Sequence, residues 1–282
     1  MDYTKVEQDG QDTVLLKIQN FNLKQILECG QCFRWVGDGN DYTGIAHGRQ
    51  LRLQQSGDNL ILKDVSPSEF EYIWKDYFDL SRNYSQIRRH YSTDPALAKA
   101  VDFSPGLRVM RQDTWETLIT FILSQNSNIP RITKMVAQLC MHFGKVLPGG
   151  GYAFPTPEAL AALAPENLAP VKPGYRAPYI IDAARQVAED KLNIAALQAK
   201  PSDEIQKALI RIHGVGPKVA ECVLLYGFGK VERYPVDVWM KRVMASLYPA
   251  GFPELLAPTA GIAQQYLFHY ARMQQKQSRK SD

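Results

Sequence analysis

Between residues 12 and 64, apolar and polar positions alternate in short runs: "TVLLKI", "CFRWV", "DYTGIA", "RQLRLQ" and "NLILKD". A period of two puts alternate side chains on one face of a pleated strand, so each run predicts a strand with one buried face. "GDGN", "HG" and "SGDN" separate several of these runs and supply turns. One helical piece, "NLKQILE", interrupts the series. From "SPSEFEYIWKDYF" onward the period lengthens to that of a helix, with Ser66 or Ser68 as candidate caps, and it stays helical toward the C-terminus.

Further helix starts are marked by "STDPALAKAV", "DTWETLITFILSQ", "IPRITKMVAQLCMHFG", "PTPEALAALA", "YRAPYIIDAARQV", "PSDEIQKALIRI", "GPKVAECVLLYG", "PVDVWMKRVMASLY" and "TAGIAQQYLFHYARM". Several set Ser, Thr or Asp beside Pro, as helix N-termini prefer. "FPTPEALAALAPENLAPVKPGY" holds five prolines, too many for one helix, and predicts a short helix between connectors. The tail "QQKQSRKSD" has no apolar anchor and predicts fraying. The pattern as a whole is α+β: an antiparallel β domain with flanking helices over residues 1–95, then a helical body over residues 96–282.

Composition narrows this only a little. With 282 residues, 45% hydrophobic and 22% charged, the chain can bury one large core or two smaller ones. A formal charge of +4 permits a nucleic-acid partner without establishing one. No apolar run approaches the roughly 20 residues of a membrane span. The N-terminus "MDYTKVEQDGQDTVLL" lacks the basic start and apolar stretch of a secretory signal. The expectation is a cytoplasmic monomer without membrane contact. Cys29, Cys32, Cys140 and Cys222 form no two paired clusters, and "CGQC" stands without the second Cys/His pair that a structural metal site needs.

Chemistry concentrates in "RIHGVGPKVAECVLLYGFGKVERYPVDVW", residues 211–239. "PSDEIQKALIRI" reads as a helix, "HGVG" as a glycine hairpin and "PKVAECVLLYG" as a second helix with Pro217 in its first turn. Gly214 and Gly216 allow positive φ and close approach of another chain. The free amides that follow, beside the positive end of the helix dipole, suit a phosphate; an ordinary inter-helix turn fits the same residues. Lys218 sits in that first turn, where the dipole disfavours its ammonium form, and a neutral amine is a nucleophile. Taken alone, Lys218 is better read as a surface lysine that merely reaches phosphate. Asp237 opens the next helix, where it serves as an N-cap and is available as a carboxylate. Cys222 lies four residues after Lys218, on the same helical face.

With these residues in view, the chain resembles the helix-hairpin-helix DNA glycosylases, and more narrowly the eukaryotic-type 8-oxoguanine DNA glycosylase/AP lyases. The resemblance rests on "CGQCFRW" (29–35), "GLRVMRQDTWETLITFILSQNSNIPRI" (106–132), "GYRAPYI" (174–180), "GVGPKVAECV" (214–223), "PVDV" (235–238) and "AGIAQQYLF" (260–268), which fall in that family's order. It implies a TBP-like N-terminal sheet and a helical body, with duplex DNA containing 8-oxoguanine as partner and no required cofactor. Lys218 would attack C1′ of the damaged nucleotide to give a Schiff base and a nicked strand, with Asp237 stabilising the developing cationic sugar. The nucleotide must first be extruded from the duplex.

Position by position, the resemblance implies that the Gly30 carbonyl accepts the N7–H that 8-oxoguanine has and guanine lacks, leaving an unpaired acceptor against the undamaged base. Gln264 would read the Watson–Crick edge, and Phe268 and Cys222 would stack on the two faces. Gln264 and Phe268 share one helical face by their i,i+4 spacing alone, although core packing also accounts for Phe268. Asn126 and Arg131 would contact the cytosine left behind. Tyr175 and Arg176 would fill the vacated space, Gly214, Val215 and Gly216 would meet phosphate, and the carbonyls of Ile210, Ile212 and Val215 would hold Na+ or K+. Three positions depart from the family pattern: Trp239 in place of a phosphate-contacting histidine, Glu221 in place of an aspartate, and Ser127 within an asparagine run. A monofunctional alkyl-purine glycosylase would need Asp237 but not Lys218, and a non-enzymatic hairpin DNA-binding module would need neither.

Overall fold

The computed structural model describes residues 2–281, the side chains of residues 238 and 279–281 excepted. Six strands form one antiparallel sheet in the order β1-β2-β6-β5-β4-β3: β1 Lys5–Asp9, β2 Asp12–Leu16, β3 Trp35–Asp38, β4 Asp41–Ala46, β5 Arg49–Ser56 and β6 Asn59–Leu62. Alternation predicts β2, β4, β5 and β6, and β4 buries every second residue, Tyr42, Gly44 and Ala46. It misses β1, "KVEQD", which pairs with β2 from Lys5↔Leu16 to Asp9↔Asp12. As an edge strand β1 buries no residue fully, so it carries no apolar rhythm. In "CFRWV" the strand begins only at Trp35; Cys29 to Arg34 form an irregular segment that matters below.

Leu15, Leu51, Leu53, Leu60 and Leu62 on the sheet's inner face share a core with Phe70, Trp74, Tyr77 and Phe78. The first three come from the helical run Pro67–Tyr77 and Phe78 follows it directly; the run is capped by Ser66, whose Oγ accepts the Glu69 N–H at 3.2 Å. A second core belongs to the helical body, where the helices Pro95–Phe103, Thr114–Leu123, Ile129–Phe143, Ala177–Ala188 and Pro217–Tyr226 bury their apolar stripes. Asp94, Asp113 and Asn128 cap three of them with side-chain oxygens. Tyr84 and Tyr91, on helix Tyr84–Tyr91, already belong to this second core, and Met110 belongs to the first.

Two adjacent features span the pair of cores. Buried Arg108 donates to Asp2 Oδ2 at 2.9 Å and to the carbonyls of Phe78, Asp79 and Arg82. The segment "CGQCF" places Cys29 and Phe33 in the helical core and Cys32 in the sheet core. Over its described residues, outside which Asp282 lies, the polar tail does not fray: helix Ala260–Ser281 continues through them. Its first two turns are buried, and extending an anchored helix orders one residue for each bond gained.

Candidate active site

The hairpin joins helix Ser202–Ile210 to helix Pro217–Tyr226. Gly214 has φ +81°, and a Cβ there would lie 2.3 Å from the Tyr179 ring, so conformation and packing both call for glycine. Gly216 departs from the expected positive φ. Its φ is −95°, and nothing lies within 4 Å of where its Cβ would stand. What Gly216 provides is a bare helix start. No side chain caps it, and the amides of Lys218 and Val219 have no acceptor among the described residues. Val215 is buried beneath, and its N–H closes the turn on the Ile212 carbonyl at 3.0 Å.

Lys218 projects from this start with Nζ 3.3 Å from Ser124 Oγ and 5.3 Å from the Phe121 ring centroid. The amine therefore rests on a hydroxyl and an aromatic face rather than in open solvent. Asp237 caps helix Val238–Leu247 through Oδ1, which accepts the Met240 N–H at 2.7 Å. Its other oxygen has no hydrogen-bond partner among the described residues.

Lys218 and Asp237 line a cavity of about 180 Å³ together with Gly30, Cys222, Gln264 and Phe268. Residues more than 200 positions apart in sequence thus meet in one space. Cys222 is 1% exposed. Burial pushes its thiol up to about 11 against the opposing pull of Lys218, so it presents a neutral, polarizable surface. Gln264 is 3% exposed, and its Oε1 is buried without a donor. An unpaired buried acceptor costs about 1–3 kcal/mol, so Oε1 favours a ligand that brings a donor to it. Gly30 holds φ +96°, and its carbonyl has no donor among the described residues.

A wider cleft of about 820 Å³ shares Ser124, Ser127, Asn128, Lys218 and Asp237 with this cavity. Amine and carboxylate thus stand where the two spaces meet. Asn126, Arg131, Gly216 and Lys241 line its outer part. Asn126 is exposed at φ +45°, a left-handed conformation that asparagine adopts more readily than most residues. Tyr175 is 52% exposed. Arg176, expected at the DNA surface, is 2% exposed instead. Its guanidinium donates to the carbonyls of Gln125, Asn126 and Pro173, because a buried cation needs acceptors. Gln125 Nε2 in turn donates to the Gly214 carbonyl at 3.1 Å. Arg176 thus props the hairpin and the loop carrying Asn126. The carbonyls of Ile210 and Val215 have no donor among the described residues, and that of Ile212 accepts one N–H. Neutral oxygens with free lone pairs fit a hard monovalent cation.

Trp239 lines the outer cleft and meets Phe268 edge to face, centroids 5.5 Å apart at 89°. Where a histidine would reach phosphate, this chain braces a cavity wall. Glu221 faces away and is paired with Arg233 at 2.6 Å, and Ser127 Oγ is buried without a partner. Ser124, Phe121 and Gln125 were not singled out by the sequence. Their only signal is membership of "FILSQN", since each acts through contacts between distant segments.

A glycine hairpin, a lysine and an aspartate thus meet around the mouth of one cavity. Residues 119–252 match the HhH-GPD superfamily base excision DNA repair protein, and residues 13–118 the N-terminal domain of 8-oxoguanine DNA glycosylase. The N-glycosylase/DNA lyase of Saccharomyces cerevisiae is 37% identical over 254 residues, covering 78% of this chain and 66% of the yeast protein. The chain therefore spans slightly less than two thirds of that relative. Against the solved structure of the Clostridium acetobutylicum 8-oxoguanine glycosylase/lyase with dsDNA containing cytosine opposite 8-oxoG, identity is 36% and TM-score 0.90, covering 98% and 100% of the two chains. Against MBOgg1 in complex with a low-affinity DNA ligand, identity is 42% and TM-score 0.91, covering 97% and 99%. Covered over nearly their whole length at more than 30% identity, these two glycosylases show that the chain belongs to the family of 8-oxoguanine DNA glycosylase/lyases. Among the described residues no helix is long and apolar enough to cross a membrane.

Proposed function

We propose that this protein excises 8-oxoguanine from duplex DNA and nicks the strand at the resulting site. The observation that carries this reading is the single cavity gathering Lys218, Asp237, Gly30, Cys222, Gln264 and Phe268. The Lys218 amine attacks C1′ of an extruded nucleotide as the bond from C1′ to the base breaks, and the base leaves with the electron pair and takes up a proton. Sugar-ring opening gives a Schiff base, loss of a C2′ proton expels the 3′ phosphate, and hydrolysis of the imine frees Lys218. Asp237, with one oxygen committed to its cap and the other free, stabilises positive charge developing on the sugar.

Cys222 and Phe268 hold the base between them, Gln264 reads its Watson–Crick edge, and the Gly30 carbonyl accepts N7–H. Guanine at that place would leave the carbonyl unpaired, which a buried site penalises. Asn126, Arg131 and Tyr175 act on the duplex side, and the amides after Gly214, Val215 and Gly216 receive a phosphate. A Na+ or K+ on the carbonyls of Ile210, Ile212 and Val215 would stiffen that contact. No other cofactor enters the chemistry. Action as a cytoplasmic monomer belongs to the same reading, as does a two-part chain dividing near residue 95.

Borohydride trapping on a duplex with 8-oxoguanine opposite cytosine tests the proposal. A covalent adduct is expected, and Lys218→Gln abolishes it. DNA binding without trapping or cleavage favours a non-enzymatic hairpin module. Base release without trapping, unaffected in Lys218→Gln, favours a monofunctional glycosylase.

A further inference from the structure

Glycine is the residue at which a peptide plane turns over most easily, so a recognition carbonyl on Gly30 needs to be held from outside. Both neighbouring carbonyls are held. The Cys29 carbonyl accepts Gln265 Nε2 and Arg272 Nη1, each at 3.4 Å. The Gln31 carbonyl accepts Gln112 Nε2 at 2.7 Å. The Gln31 side chain is itself fixed, donating to the Ile26 and Arg108 carbonyls and accepting the Met110 N–H. Between two held carbonyls, that of Gly30 stays without a donor among the described residues.

Gln265 is 1% exposed, and its orientation is set by its partners. Tyr226 Oη donates to Oε1 at 2.5 Å, so the amide nitrogen faces the Cys29 carbonyl. The reverse orientation would set two acceptors against each other. Tyr226 lies on the helix that carries Lys218 and Cys222, so the relay registers the Gly30 segment against the helix supplying the amine. Neighbouring glutamines thus have opposite tasks: Gln264 keeps a free acceptor in the cavity, whereas Gln265 is committed at both ends.

We infer that Gln265, with Gln112 on the other side, is a positioning residue for lesion specificity: the two hold the flanking carbonyls so that the Gly30 carbonyl points at the base. The inference rests on the excision proposed above. It separates from a merely structural role because a preformed abasic site presents no base to be read.

The test uses the full chain under single-turnover conditions with three duplexes: 8-oxoguanine opposite cytosine, guanine opposite cytosine, and an abasic site opposite cytosine. Gln265→Met keeps length and loses both hydrogen bonds, and Gln265→Glu turns an acceptor toward the Cys29 carbonyl. For each, excision of 8-oxoguanine is expected to fall at least about tenfold while abasic-site nicking stays within about twofold, since small misplacements penalise only the step that uses the carbonyl. Gln112→Met should reproduce the split from the other side, and it decides the matter if the Gln265 variants fail to fold. Equal loss on lesion and abasic duplexes, or no loss on either, overturns the inference. A wild-type chain that nicks abasic sites but leaves 8-oxoguanine intact overturns the proposed substrate instead, so the two failures are told apart.

Discussion

Replacing Gly30 by alanine probes the recognition loop directly. An added Cβ would stand 2.9 Å from Ile129 Cδ1 and 3.1 Å from Arg272 Nη1, with the Phe268 ring at 3.6 Å. The two close neighbours are ends of flexible side chains that yield by a few tenths of an ångström, so the steric part is small. The backbone part is larger. At φ +96° an L residue is strained by about 1–3 kcal/mol. With an unfolding entropy of roughly 2 cal/mol/K per residue, a chain of this size loses about 2–5 °C in Tm. The alanine relaxes part of that strain by turning the peptide and moving the carbonyl, and a misplacement of about 1 Å costs about 100-fold in rate. Single-turnover excision from the 8-oxoguanine duplex should therefore drop by about that factor, with abasic-site nicking preserved and the Tm lowered as calculated. Unchanged excision beside a lowered Tm would refute the carbonyl's role. Equal loss on both substrates would mean that the glycine serves the fold alone.

Two further outcomes follow from the same geometry. Asp237→Asn keeps the oxygen that accepts the Met240 N–H, so stability should change by less than about 1 kcal/mol while turnover falls at least about 100-fold; equal turnover would remove Asp237 from the chemistry. Burial, reinforced by the Arg272 and Lys276 charges, lowers His269 from 6.5 to about 4, and its Nδ1 is buried without a partner. Above pH 6.5 both folded and unfolded chains carry it neutral; as pH falls toward 4 the unfolded chain takes up a proton that the folded chain refuses, so stability is lost, by about 3 kcal/mol in all. His269→Leu should remove that loss, and denaturant melts at pH 7 and pH 4 that show the same difference between variant and wild type at both would contradict it.

Much of this protein is legible in the chain as written. Periodicity locates strands β2 and β4 to β6 and nearly every helix because each half-buried element repeats its apolar side at the period of its backbone. Local chemistry is legible for the same reason: a helix start, a cap and an i,i+4 face involve only neighbours, so Lys218, Asp237, Gln264 and Phe268 can be placed on their elements before any fold is known. Strand β1 escapes because an edge strand without a fully buried residue repeats nothing. Arg176 is misplaced because a cation's sequence context does not say whether carbonyls will gather around it. Only packing decides that it turns inward to three of them.

By itself the sequence determined which elements form and which side chains can share a face, since those follow from backbone periods and contacts a few residues long. The tertiary structure alone decided that Gly30 would line one cavity with Gln264, that Trp239 would brace Phe268, and that Gln265 would bridge Tyr226 to the Cys29 carbonyl. Hydrogen bonds and ring contacts fall off within a few ångströms, and only the packing of two cores around one short segment brings groups so far apart in the chain within that reach.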